Sequence, residues 1–445
     1  MYRNLAKNTF IFFILLFAIL HVNAQNPISP PGVYVADPSA RCWDDSTLCL
    51  YTSTDINCKN WCSWRHDILY THDLINWKVA TNVFSSKGNK DRVHYNDLAL
   101  YAPDCAKKDS LYYFYYCQPD KQNALGTAIS ESATGPFTDA QILKTGPAKS
   151  QIDPSVFFDD DNTAYIIWGQ NNMKMAILES NMRHIDTATI KSGVLTDREH
   201  FFHEGAYMFK RNGIYYLVFA DQSRKKMPTC LGYATSNKPF GPYKYRGVII
   251  DNSGCNPGNW NNHGSVIEFK NQWYVFYHRS THGCDKFRKA CIEKIEFMPD
   301  GSIPEVKMTS QGVLQYIDAT KKIEAEIACS MQGSIRIEKE SNTNEKLSQI
   351  AGGDMASFKY LNFGEGVDSV TIRFKVLNNG ILILHAQNAQ QETKIGEIEL
   401  KTSSHSYWEE KTFVVETIDG INEFIIKAEG DIEALLEIDW FKFSN

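Results

Sequence analysis

The sequence predicts an all-β protein: a five-bladed β-propeller followed by a β-sandwich of the jelly-roll kind. Three observations point there. Strand-like runs of Tyr, Phe, Val and Ile dominate, helical periodicity is scarce, and aromatics reach 13% of residues. One layout, a polar anchor followed by an aromatic strand, recurs five times. Beyond about residue 318 the aromatics thin out and simpler alternating strands follow. A chain of 445 residues is also too long for one ordinary core, so two domains are expected.

Residues 1–24 read as a secretion signal. Arg3 and Lys7 give the positive start, Phe10 to Leu20 is an apolar stretch too short to span a bilayer comfortably, and Val22-Asn23-Ala24 offers a small-residue cleavage site. The mature chain would begin near Gln25, secreted or periplasmic, with no membrane attachment after cleavage. Loss of the signal takes the net charge from −6 to −8. An acidic chain without a basic block argues against nucleic acid as a partner. The eleven cysteines of an exported chain are candidates for disulfides, and their odd number leaves at least one without an intramolecular partner. Cys58 and Cys62 have no matching second pair for zinc, so disulfide or free thiol is expected of them.

The repeats are assigned to residues 28–316. Their anchors are Ala36-Asp37-Pro38-Ser39, Tyr101-Ala102-Pro103-Asp104, Ile152-Asp153-Pro154-Ser155, His203-Glu204-Gly205-Ala206 and Asn262-His263-Gly264-Ser265. The aromatic strands begin about ten residues later, at Leu48, Leu111, Ala164, Ile214 and Trp273, a gap that fits one strand and one tight turn. Asp159-Asp160-Asp161-Asn162 marks such a turn. A second strand pair follows in each unit, and Gly135-Pro136-Phe137 is echoed by Gly241-Pro242-Tyr243. About four strands per unit, repeated around a ring, make a propeller.

Equivalent positions on the innermost strands of a propeller meet around its axis. Asp37, Asp104, Asp153, Glu204 and His263 are therefore expected to face one funnel. Acids around a depression are costly unless they do chemistry or hold a cation. Asp104 has a plainer alternative, as a strand-end acid accepting backbone hydrogen bonds. Two carboxylates across a cleft can hydrolyse a glycosidic bond, one donating a proton to the leaving oxygen and the other taking one from water. A third acid nearby raises the donor's pKa by like-charge repulsion. Aromatics beside them, among them Tyr101, suit sugar faces. This chemistry needs no organic cofactor.

These four acid-bearing motifs, with the His263-Gly264 unit, resemble glycoside hydrolase family 43 in order and spacing. The resemblance implies a five-bladed propeller that inverts at the anomeric carbon and acts on arabinose or xylose linkages of plant cell-wall polysaccharides. It makes Asp37 the general base, Glu204 the general acid, and Asp153 the residue that tunes and positions the acid. Arg279, in Tyr277-His278-Arg279, matches an arginine that contacts the sugar; His203 and Tyr101, which stands where many members carry tryptophan, join it as substrate-binding candidates. His263 matches a histidine near the axis that holds calcium or another ion in some members, with a buried core histidine as the alternative. The insert from Cys58 to Arg65 is expected to shape the pocket rim. Cleavage of galactan or galactosides, or sugar binding without catalysis, are the rival functions.

Residues 320–445 resemble a family 6 carbohydrate-binding module. Ile323-Glu324-Ala325-Glu326, Tyr360-Leu361-Asn362-Phe363-Gly364 and Ile438-Asp439-Trp440-Phe441 carry that likeness. It implies a structural calcium held by Glu324, Glu326 and Asp439. Ser357 and Glu437 replace residues that often bind sugar, which leaves Trp408 as the stacking candidate, a core role being its alternative. A domain that only braces the propeller is the other reading.

Overall fold

The computed structural model describes residues 25–120, 124–145, 151–224, 227–255, 261–402 and 406–445; the expected signal at 1–24 lies outside them. Among the described residues no helix is long and apolar enough to cross a membrane.

Five antiparallel sheets follow one another in chain order. Blade 1 is Val35–Trp43, Thr47–Thr54, Arg65–Thr71 and Lys78–Ser85; blade 2 is Tyr101–Lys108, Leu111–Cys117, Leu125–Ser130 and Thr138–Ile142. Blade 3 is Ser155–Phe158, Ala164–Trp168, Asn172–Leu178 and Ile185–Thr196; blade 4 is Phe202–Arg211, Ile214–Asp221, Cys230–Ser236 and Lys244–Asp251. Blade 5 has three strands, Ser265–Phe269, Gln272–Ser280 and Arg288–Ile295. The first strand of each blade touches the first strand of the next, and blade 5 returns to blade 1, so the sheets form a closed ring.

The aromatic second strands explain the packing. They run through the middle of each sheet, where both faces are covered, and therefore read as near-continuous apolar runs. Their side chains fill the layers between blades. Phe114 and Phe137 of blade 2 meet Tyr51 and Phe84 of blade 1, and Tyr165 and Ile167 of blade 3 meet Leu217 and Phe219 of blade 4. The echoed Gly-Pro-aromatic motifs do the same work twice: Phe137 and Tyr243 are both buried in such layers. The N-terminal segment closes the ring. Ile28 N donates to Ala290 O (2.9 Å), and the Asn26 amide bonds Ile292 O and N (2.8 Å each), so residues 25–29 edge the last strand of blade 5.

The C-terminal part is a sandwich of two sheets. One orders Ile317–Asp318, Met355–Asn362, Ile421–Gly430, Gly380–Gln387 and Glu392–Leu400; the other orders Arg336–Lys339, Glu345–Ala351, Ala434–Ser444, Val367–Val376 and Glu409–Ile418. Its apolar interior is continuous with the layer between blades 4 and 5. A buried ion pair crosses the junction, Lys289 Nζ to Glu345 Oε2 at 2.8 Å, and Ile337 N donates to Thr281 O at 2.9 Å. The sandwich is thereby tied to the loop that follows the middle strand of blade 5.

Candidate active site

The inner strands share a local irregularity where the anchors lie. The strand pairing slips between Ala36 and Ser39, between Tyr101 and Asp104, and between Glu204 and Tyr207. Such bulges re-aim side chains next to active sites. Asp37 (φ +55°), Asp153 (φ +54°) and Gly205 (φ +64°) have left-handed backbone there. For the two aspartates this costs about 1–2 kcal/mol each, which the surrounding sheet must sustain. Gly205 is required twice over. Besides its φ, a Cβ there would lie 2.8 Å from the His263 ring, which packs flat on the blade 4 backbone.

The result is a cavity of about 220 Å³ at one mouth of the channel, lined by Asp37, Trp61, Cys62, Tyr101, Ile152, Asp153, Gln170, Glu204, Asn261, His263 and Arg288. The three predicted acids, Tyr101 and His263 thus meet in one place. Glu204 is oriented by Gln170 Nε2 (2.7 Å to Oε2) and Asn261 Nδ2 (3.3 Å to Oε1). Asp153 accepts a contact from Cys117 Sγ at 3.8 Å and is wholly buried. Burial, then the charges of Glu204 and Asp37, push the Asp153 carboxyl well above the ordinary aspartate range. Asp37 goes the other way. Burial pushes it up, but the Arg288 guanidinium, 3.0 Å from Oδ1, leads the groups that bring it below the ordinary range.

Arg288 is the centre of a buried charge network. It binds Asp37 with one nitrogen and Asp55 with two (Nε–Oδ2 2.8 Å, Nη2–Oδ1 2.9 Å), and it also donates to Asn261 Oδ1 (2.9 Å). Burial lifts Asp55 to about 6, which Arg288 only partly offsets. His278 supports the same acid. Its Nδ1 accepts the Asp37 N–H (3.1 Å), which leaves Nε2 to donate to Asn261 O (3.2 Å), and burial keeps its pKa well below the usual histidine value.

Arg279, expected to contact the sugar, does not reach the cavity. Side chains alternate along a strand. His278 and Ser280 share the face toward Asp37, and Arg288, paired opposite Ser280, lies on it too. Arg279 and its cross-strand partner Lys289 point the other way, where Arg279 Nη2 reaches Glu326 O at 3.5 Å. The sequence carries two arginines nine residues apart, and strand parity selects the second.

His203 also does not line the cavity. It is buried behind the acid, with Nε2 3.5 Å from Glu204 Oε2. Asp104 leaves the expected ring as well. Two residues beyond the left-handed position, it takes Arg41 in a bidentate pair (2.8 and 2.5 Å), Ser39 Oγ (2.6 Å) and Val156 N (2.7 Å). It is a strut across the channel. A larger cavity, about 430 Å³, opens farther along the same inner strands, walled by Arg41, Trp43, Phe158, Lys210 and Trp273. Two acids line it, Asp160, which is paired with Lys210 (2.8 Å), and Glu268.

The calcium expectation at the axis does not fit. His263 Nδ1 lies 3.7 Å from Asp37 and 4.0 Å from Asp153, but Asp37 already carries Arg288, a cation where a metal would stand. In the sandwich, Asp439 is taken by Arg373 (2.8 Å) and Asn344 (2.7 Å) and one oxygen of Glu324 by Lys322 (2.7 Å), while Glu324 Oε2 and Glu326 Oε2 are buried without a hydrogen-bond partner, oxygens of the kind a calcium would take up. Among the described residues no three His, Cys, Asp or Glu side chains gather as ligands. Trp408 sits on the sandwich, with Arg373 (5.5 Å) and Lys346 (5.7 Å) over its ring and Nε1 donating to Glu340 (3.2 Å).

Sequence reasoning missed Arg288, Asp55, His278, Gln170 and Asn261. Two of them carried a signal, Asn261 as a neighbour of the fifth anchor and His278 as the residue before Arg279 in its motif. The insert was expected at the rim, and it supplies Trp61 and Cys62. Cys58 is bonded to Cys284 rather than to Cys62, and the other nine cysteines are thiols.

Three carboxyls in one cavity, one held low by an arginine and another pushed up by burial and like charge, equip a hydrolase that works by acid and base. The chain belongs to the glycosyl hydrolases family 43, whose profile matches residues 24–303, and is a glycosidase. Residues 324–445 match the carbohydrate binding module (family 6). A xylosidase/arabinosidase of Thermoclostridium stercorarium is 25% identical over 397 residues, 76% of this chain and 82% of that one. An arabinoxylan arabinofuranohydrolase of Bacillus subtilis is 29% identical over 310 residues, 60% of each chain. A β-xylosidase of Xylanibacter ruminicola is 26% identical and is covered over 98% of its length. The crystal structure of a Bacillus subtilis arabinoxylan arabinofuranohydrolase in complex with cellotetraose superposes over 95% of this chain and 98% of that one, with a TM-score of 0.55 at 23% identity, a likeness of fold.

Proposed function

We propose that the protein is an exported, inverting glycosidase that removes α-L-arabinofuranosyl or β-D-xylosyl residues from the ends of plant cell-wall chains such as arabinoxylan. The observation that carries this reading is the meeting of Asp37, Asp153 and Glu204 in one cavity, with Arg288 3.0 Å from the first and two amides aimed at the last. Asp37, kept ionised by Arg288, takes a proton from the attacking water. Glu204, aimed by Gln170 and Asn261, gives a proton to the leaving oxygen. Asp153, pushed up by burial and by the charges of Glu204 and Asp37, lines the cavity beside that acid and tunes its surroundings. Water attacking on one face while the acid acts on the other inverts the anomeric carbon.

The substrate class rests on the names of the relatives, xylosidase, arabinosidase and arabinoxylan arabinofuranohydrolase. The cavity, about 220 Å³, falls below the roughly 300–1,000 Å³ of drug-sized sites and suits one terminal sugar. A second reading, cleavage of galactosides, has one relative in its favour, a β-D-galactofuranosidase of Aspergillus niger, 26% identical over 314 residues. The domain after residue 320 acts as a brace on the propeller, and its own sugar binding is a separate question for affinity electrophoresis.

The test is release of monosaccharide from arabinoxylan, arabinan, xylo-oligosaccharides and galactan, with proton NMR of the first anomer formed. The expected result is arabinose or xylose in the inverted configuration, lost in Glu204→Gln. Galactose release would transfer the reading to the second class. Retention of configuration would overturn the assignment of Asp37 as a base.

A further inference from the structure

The insert in blade 1 is attached to the site in an unusual way. Residues 55–64 leave the sheet between the second and third strands of blade 1, and Ile56, Cys58, Lys59 and Asn60 are exposed. Within the tip of this excursion the hydrogen bonds come from Asn57 Oδ1, which accepts from Lys59 N (2.8 Å) and Asn60 N (3.0 Å). Such a segment has little of its own to fix it over a cavity. Its far side is held by Leu100 N to Ser63 O (2.8 Å) and Ser86 N to Trp64 O (2.9 Å), and its tip by the Cys58–Cys284 disulfide, which spans 226 residues and reaches the loop 281–287 of blade 5.

That loop is the rigid partner. Phe287 stacks on Tyr34 with ring centres 3.9 Å apart, Thr281 N donates to Phe287 O (3.1 Å), and Ile337 of the sandwich bonds Thr281 O (2.9 Å). The same loop brings Lys286, whose Nζ lies 4.9 Å from the centre of the Trp61 ring; Arg288, just after it, places its guanidinium 5.2 Å from that ring. Trp61 therefore stands over the cation that holds Asp37, with another part of its surface on the cavity.

We infer that Trp61 is the wall that fits this cavity to a single terminal sugar ring, and that the Cys58–Cys284 bond, braced by the sandwich through Thr281, is what keeps the wall in place. The inference rests on the proposed function and deepens it. Trp61 acts by contact with the bound sugar, and the disulfide acts only through Trp61.

The experiment uses the full chain with p-nitrophenyl α-L-arabinofuranoside and β-D-xyloside, with and without dithiothreitol. The other cysteines are thiols, so the reductant acts on one bond. Trp61→Ala should raise KM about tenfold on the accepted glycoside, more than it lowers kcat, which is the pattern of a lost binding contact. Reduced wild type and the double variant Cys58→Ser, Cys284→Ser should show the same rise, Trp61→Ala should not respond to dithiothreitol, and Trp61→Phe should recover most of the affinity. Reduced wild type with an unchanged KM, its open disulfide verified by mass, overturns the role of the bond. A Trp61→Ala variant that loses kcat at unchanged KM overturns the wall and makes Trp61 a positioning residue for Arg288. Failure of the functional reading looks different: wild type and Glu204→Gln would then be equally inert on both glycosides.

Discussion

Asp104 and Asp153 occupy neighbouring levels of the same channel, on adjacent inner strands, and both are buried. Asp104 has a bidentate arginine, a serine hydroxyl and a backbone N–H. Asp153 has two other carboxyls nearby and a thiol. The first is a finished ion pair, the second a carboxyl that burial and like charge push up. The difference teaches that an acid's position in a repeat does not set its task; the charge of its neighbours does. In the described channel the arginines fall one per level, Arg41 on Asp104 and Arg288 on Asp37, and Asp153 is left between them without one.

The largest test of this contrast is in rate. Asp37→Asn should lower kcat by about 10²–10⁴ and leave the melting temperature near that of wild type, because a general base is lost but no cavity opens. Asp104→Ala should do the reverse. It strands the Arg41 guanidinium and should cost about 3–5 kcal/mol in chemical denaturation, while kcat at low temperature stays within severalfold of wild type. Equal effects of the two variants on rate would erase the comparison. A smaller effect is expected at Gly205. Gly205→Ala adds a Cβ against the His263 ring at a left-handed backbone position and should lose about 1–2 kcal/mol or more, read as a lowered unfolding midpoint.

The smallest effect is a displacement of the pH profile. Asp37 is held low, so the acid limb should lie at low pH; the alkaline limb reports loss of the proton on the general acid. Asp153→Asn removes a neighbouring carboxyl whose own ionisation would oppose that of the acid. The alkaline limb of kcat/KM should therefore move to lower pH, by about one unit, alongside any loss of rate. A limb that stays or rises would show that the proton is kept by burial alone.

Much of this was legible in the chain. The anchor and aromatic-strand repeat gave the blades because buried second strands must be apolar throughout, and Asp37, Asp153 and Glu204 met because equivalent strand starts must meet at an axis. Arg288 was not legible. It lies in a loop-to-strand junction, and its choice over Arg279 depends on which face of one strand looks inward. Nor was the Cys58–Cys284 bond, since spacing along the chain says nothing about two loops brought together by ring closure. In the sandwich, Val370 to Val376 announced its strand by alternation and Ile381 to His385 by an apolar run, whereas Glu392–Leu400 alternates only over its last four residues and opens on the charged and polar Glu392-Thr393-Lys394, as suits a strand at the rim of its sheet.

The strip at residues 25–29 has a kinetic consequence. Asn26 bonds partners up to 283 positions away, so its contacts are among the longest-range in the chain. Contacts of that span form late, since the entropy of closing so long a loop is met only once the rest is in place. The first segment made is thus the last to dock, and blade 5 stays an open edge until it does. Deleting residues 25–29 should slow refolding and raise aggregation more than it weakens any single blade, because the unpaired edge of Arg288–Ile295, beside the arginine of the site, would be left to find a strand from another molecule.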